Sequence, residues 1–112
     1  MRGAHRSLWR EIITFVDVQS AARSISETQN RLFRLRNRFR RSSEKLPDNN
    51  REKLFAVAFR AIDQALVEAR DRLVVNDLGD CKQYVSTANA MLIGAEDNLD
   101  RLLQQNVERH EA

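Results

Sequence analysis

Seven side chains in the last third of the chain, Cys81, Val85, Ala88, Leu92, Ala95, Leu99 and Leu102, and then Asn106, recur at spacings of four, three, four, three, four, three and four. A strand returns to one face every second residue and cannot hold that pattern, whereas a helix returns every 3.6 residues. The spacing predicts a coiled-coil-like helix from Asp80 to Arg109 that buries a narrow seam against other helices. A seam of this kind has no stable place alone in water, so the rest of the chain must supply its partners.

Two further stripes do so. Phe55, Phe59, Ile62, Leu66, Ala69 and Leu73 mark a helix from Asn50 to Asn76, opened by the capping-box spacing of Asn49 and Glu52. Its second apolar edge, Leu54, Ala58, Ala61 and Ala65, predicts a middle helix held closely between two neighbours. Asn76 to Gly79 ends it, with Gly79 suited to the left-handed C-cap and Asp80 to the next N-cap. Upstream, Ile25, Thr28, Leu32, Leu35 and Phe39 form the buried stripe of a long first helix running from an N-cap at Ser7 to about Lys45. Leu8, Ile12, Phe15 and Val18 begin its apolar face, Trp9, Ile13 and Val16 widen it, and Ala22 carries it on to Ile25. Pro47 stops the helix, because the residue before a proline resists helical angles, and Leu46 to Asn50 is the expected loop.

Short connections make consecutive helices antiparallel neighbours. The expected fold is all-α, an antiparallel up-down-up three-helix bundle with a long first helix. Ser20, Ser24 and Ser26, with Ser24 and Glu27 spaced as a capping box, mark where that helix would break to give a four-helix bundle instead. Three Gly and one Pro among 112 residues, with 42% apolar and 31% charged, suit one helical domain over residues 1–112. The lone Cys81 has no internal disulfide partner, and Arg10, Glu11 and Asp17 interrupt the apolar N-terminal stretch, so the expected setting is the cytoplasm. The longest uncharged run, Gln83 to Ala95, is too short and too polar to span a membrane.

Charge is the other asymmetry. Residues 1–45 hold 11 basic and 4 acidic side chains, and residues 46–112 hold 8 and 12. Six arginines, Arg31, Arg34, Arg36, Arg38, Arg40 and Arg41, crowd around Phe33, a ring able to stack on a base or a partner side chain. At about 100° per residue, Arg31, Arg34, Arg38 and Arg41 lie across from the buried stripe, with Arg36 and Arg40 on its flank. Nucleic acid, acidic protein or an anionic surface would be drawn to such a run. Alternatively it is neutralised internally by Glu96, Asp97, Asp100, Glu108 and Glu111 of the third helix.

Catalysis has little to stand on. His5 and His110 sit near opposite ends of the sequence, and Cys81 has no histidine near it in sequence. Glu68 with Asp71, and Asp97 with Asp100, have the i, i+3 spacing of helix-borne metal ligands. Glu68 with Arg72, and Asp97 with Arg101, are more simply intrahelical salt bridges. No metal or cofactor is expected, and the chain reads as a non-enzymatic interaction module that binds a protein partner. The alternative is a nucleic-acid-binding protein using Arg31 to Arg41 for phosphate contacts. An unbroken first helix also outruns its partners, leaving Leu8, Trp9, Ile12, Ile13, Phe15 and Val16 for self-association as a homodimer.

Overall fold

The three apolar stripes pack on one another as an up-down-up bundle. A computed structural model gives α1 (Arg2–Ser42), α2 (Asn49–Val74) and α3 (Leu78–Glu111). It describes the backbone of residues 2–43 and 49–111 and the side chains of residues 8, 12, 14–43 and 52–105. The expected loop Leu46–Asn50 and the cap at Asn49 fall largely outside the described residues. Ile25, Leu32 and Leu35 of α1 meet Phe55, Phe59, Ile62, Leu66 and Ala69 of α2 and Cys81, Val85, Ala88, Leu92, Ala95 and Leu99 of α3 in one core. Ile62, Leu66, Leu92 and Leu99 are fully buried.

Each end of the bundle is pinned by a specific device. At one end Phe39 of α1 stacks on Phe55 with ring centroids 4.6 Å apart and meets Phe59 edge-on at 5.7 Å. Such aromatic pairs contribute beyond their buried area, and they tie the close of α1 to the first turns of α2. At the other end α2 finishes in a Schellman turn: the amide of Asp77 donates to the Arg72 carbonyl at 2.8 Å and that of Asn76 to Leu73 at 3.0 Å. The left-handed residue is Asn76, with φ of 63°, and not Gly79, which lies inside the first turn of α3. Asn tolerates that region because its short polar side chain can bond locally. The cap of α3 is likewise Asp77 and not Asp80, since its Oδ1 accepts the Asp80 amide at 3.2 Å.

Register between α1 and α3 is fixed by polar contacts. Thr28, buried on the stripe, donates its hydroxyl to the Ser24 carbonyl at 2.8 Å and lies 3.2 Å from the Asn89 side chain. Arg31 reaches Glu96 and Arg38 reaches Asp100, so the two helices run in the same direction. Ser20, Ala21 and Ser24 share a cleft with Lys82, Val85 and Asn89 near the start of α3.

Everything in α1 before that level extends past the turn between α2 and α3. The molecule is accordingly a rod, 76 × 22 × 17 Å. The long first helix is unbroken, as expected: α1 is continuous from Arg2 through the alternative break point between Ser20 and Ser26, and there is no fourth helix among the described residues, although Ser7 lies inside the helix and not at its cap. Ser24 uses its carbonyl to accept Thr28 and does not cap a new helix.

The upstream stripe also needs correction. Ala21 is buried and Ala22 exposed. Stepping the buried line Phe39, Leu35, Leu32, Thr28, Ile25, Ala21 backwards by fours and threes leads to Val18, Thr14, Glu11 and Ser7. With those positions as a and d of a heptad, Leu8, Ile12, Phe15 and Val16 fall at e, b, e and f, on the side turned away from α2 and α3. The three-residue steps from Ile12 to Phe15 and on to Val18 carry the apolar pattern from one side of the helix to the other.

Leu66→Ala should lower stability by about 2 to 5 kcal/mol in chemical denaturation, since it empties a fully buried site. Asn76→Ala should cost about 1 to 2 kcal/mol through the left-handed backbone alone, with the circular dichroism spectrum unchanged.

Candidate interaction site

The arginine run is divided by the fold among three directions. Arg31 and Arg38 turn toward α3, where Arg31 bonds Glu96 at 2.7 Å and Arg38 pairs with Asp100. They therefore do not lie across from the buried stripe; their side chains reach around the flank into the groove between α1 and α3. Both pairs are more than a third exposed, so each contributes at most about 1 kcal/mol. Arg36 goes the other way, its guanidinium carbon 5.7 Å from the Phe59 ring centroid in a cation–π contact.

Arg34, Arg40 and Arg41 remain exposed, with Arg41 donating to the Asn37 carbonyl at 3.4 Å. Phe33 is exposed beside them. Arg34 also borders a shallow cleft of about 180 Å³ with Arg31, Leu35, Arg38 and Glu96. Of the acids expected to neutralise the run, Glu96 and Asp100 do so in part. Asp97 is exposed with no ion pair among the described residues, and the side chains of Glu108 and Glu111 lie outside them.

Those two interhelical pairs are the ion pairs present among the described residues, so Glu68 with Arg72 and Asp97 with Arg101 do not close as intrahelical bridges. Glu68 instead accepts from Gln64 at 3.2 Å, and Asp97 takes no charged partner among the described residues. Both differences have one cause: an acid on an exposed helix face takes whichever donor its rotamer reaches, for gains of only a few tenths of a kcal/mol, roughly.

The N-terminal extension of α1 is the second surface. Leu8 is 56% exposed, Ile12 46%, Phe15 61% and Val16 57%. They lie on consecutive turns of a helix that has left its bundle, and they share one side. Trp9 and Ile13, expected on the same surface, have side chains outside the described residues.

A third surface went unread in the sequence. Between α2 and α3 lies an open, mostly apolar groove of about 550 Å³, lined by Leu54, Ala58, Met91, Gly94 and Leu102 among others. The second edge of α2 was expected to be covered, and only Ala65 is; Leu54 and Ala61 are exposed. The signal was there in the facing Gly94, where a Cβ would meet nothing within 4 Å.

Cys81 is wholly buried at the start of α3. Its thiol is raised above its ordinary value, first by burial and then by the Asp77 carboxylate, with Lys82 pulling weakly the other way. Desolvation outweighs any help the helix N-terminus could give a thiolate. Among the described residues no three of His, Cys, Asp and Glu come together as a metal cluster, and no described helix is long and apolar enough to cross a membrane. Comparisons of this chain with protein-family models, with curated proteins and with solved structures find no match.

A thiol raised in the folded state stabilises fully below its unfolded value and loses that contribution as pH climbs through the folded one. Denaturation midpoints should therefore fall on the alkaline side, and Cys81→Ala should flatten that decline. The native thiol should also resist alkylation at neutral pH until the protein is unfolded.

Proposed function

We propose that this chain is a non-enzymatic helical interaction module in a cytoplasmic setting, binding protein partners, a second copy of itself included, through the outer face of the α1 extension. One observation carries the reading: Leu8, Ile12, Phe15 and Val16 stand exposed together along a helix that has outrun its bundle. Apolar side chains scattered singly over a surface need no explanation, but a contiguous set on one face marks a binding surface. Helix faces of this kind are recognised through anchors at i, i+3, i+4 and i+7, and Leu8, Ile12 and Phe15 have that spacing. The reading assigns no catalysis and no cofactor.

A second reading has its own observation, the exposure of Arg34, Arg40 and Arg41 beside Phe33. Guanidinium groups around an accessible ring suit phosphate contact with base stacking, which would make the chain a nucleic-acid-binding protein.

The two surfaces lie on different stretches of α1 and can be removed separately. Protein recovered from the native host with the tagged parent should fall at least tenfold for Leu8→Asp with Phe15→Asp, and persist for Arg34→Gln, Arg40→Gln and Arg41→Gln combined. The opposite pattern, together with a shifted DNA or RNA probe whose log affinity falls linearly with log salt, would favour phosphate binding. Circular dichroism should be unchanged in both variants, because every substituted side chain is exposed.

A further inference from the structure

Arg31, Arg34 and Arg38 stand at i, i+3 and i+7, so they follow one another along one flank of α1 over roughly 10 Å at about 1.5 Å per residue. All three border a single cleft of about 180 Å³, together with buried Leu35 and, from α3, Glu96. We infer that this cleft binds a phosphate monoester group. The inference goes beyond the contact surface proposed for the α1 extension and does not depend on it.

Two of the arginines are held in place without being used up. Each gives Nη2 to a single carboxylate oxygen, Arg31 to Glu96 Oε1 at 2.7 Å and Arg38 to Asp100 Oδ1. A guanidinium carries five N–H donors, so each keeps donors for a ligand while the acid of α3 fixes where they stand. Arg34, on the turn between them, is exposed and has no acid partner among the described residues. It is repelled by Arg31 three residues before it and by Arg38 four residues after it. An anion in the cleft relieves both repulsions at once.

Charge and shape select the anion. The charged side chains lining the cleft are three cations and one carboxylate, 3 − 1, which leaves +2. Asp100, which pairs with Arg38 without lining the cleft, is offset by exposed Arg41 one turn further along. A phosphate monoester carries about −1.5 to −2 at neutral pH and presents three strong acceptor oxygens, one for each guanidinium. A carboxylate or a phosphodiester brings a single charge and two such oxygens. Size narrows the ligand further, because the cleft is smaller than the roughly 300 to 1,000 Å³ of pockets that enclose a whole small molecule. The phosphate enters and the group it esterifies stays outside. The cleft therefore reads the phosphate and not its carrier, either a small phosphorylated molecule or a phosphorylated side chain.

Titration calorimetry of the full chain at low salt, with phenyl phosphate and its methyl diester as probes, tests the site. The monoester should bind at least tenfold more tightly than the diester. Its affinity should rise between about pH 5 and about pH 7.5, since phosphate loses its second proton near pH 6 while arginine stays charged throughout. Arg34→Gln should weaken binding at least tenfold, and Arg34→Lys, which keeps the charge and loses the planar fork, should weaken it more than Arg40→Gln, whose side chain is exposed outside the cleft. Circular dichroism should be unchanged in all three variants, because both positions are exposed. Inorganic phosphate and a phosphoserine peptide distinguish the carriers: equal affinities identify a small phosphorylated molecule, a tighter peptide identifies a phosphorylated side chain, and both uphold the site. Equal affinity for monoester and diester, or equal losses for Arg34→Gln and Arg40→Gln, would overturn it in favour of diffuse attraction by the whole arginine run, leaving the nucleic-acid reading to stand on its own test. No binding of phenyl phosphate at millimolar concentration would overturn it outright, without bearing on the α1 extension.

Discussion

The three phenylalanines where α1 meets α2 set the terms for the rest of the molecule. Phe39 against Phe55 and Phe59 holds the close of the first helix to the opening of the second. With that end held and the other end of α2 closed by the Asn76 turn, the length of α2 defines the length of the bundle. At about 1.5 Å per residue, α1 is some 22 Å longer than α2. All of its surplus is displaced to the N-terminal side, where neither α2 nor α3 runs beside it. A long helix with its middle pinned would have divided the excess between two short overhangs. Pinned at one end, it produces a single extension long enough to present three turns of apolar surface.

That surface and the core belong to the same helix but obey different constraints. From Ala21 onward the apolar positions follow the seam, since a side chain there either meets α2 and α3 or stands in water. No described α1 residue before Ala21 belongs to that core, and the seam positions Thr14, Glu11 and Ser7 are polar. The apolar positions cross to the other side. A sequence patterned only for its own core would have kept its register or become polar all round, so the crossing is what supports reading the extension as a contact surface.

The arginines illustrate how packing redistributes charge. Six in eleven residues would repel one another on an isolated helix, and the fold relieves this by sending Arg31 and Arg38 to acids of α3 and Arg36 to the ring of Phe59. These contacts are individually weak. Together they leave Arg34, Arg40 and Arg41 as the exposed remainder, a much smaller cationic surface than the run suggests when read as a string.

Much of the fold was legible in the sequence because helical periodicity is a local property. The seam from Cys81, the stripe from Phe55 and the stripe from Ile25 each identify a helix and its buried face without reference to the others, and they are buried from Cys81 to Leu99, from Phe55 to Ala69 and from Ile25 to Leu35. What needed the tertiary structure was every choice between near-equal local options. Asn76 and Gly79 can both take the left-handed turn, and the six-residue closure of α2 onto Arg72 selected Asn76. Ala21 and Ala22 are chemically identical, and only the side of α1 that faces the other helices decided which was buried. Ser24 could cap a new helix or bond within an old one, and the burial of Ala21 and Ile25 on either side of it kept the helix whole. The apolar groove left open along α2, and the side of the rod on which Leu8, Ile12, Phe15 and Val16 stand, exist only relative to neighbouring helices. They are relations between elements, and one-dimensional spacing determines the elements alone.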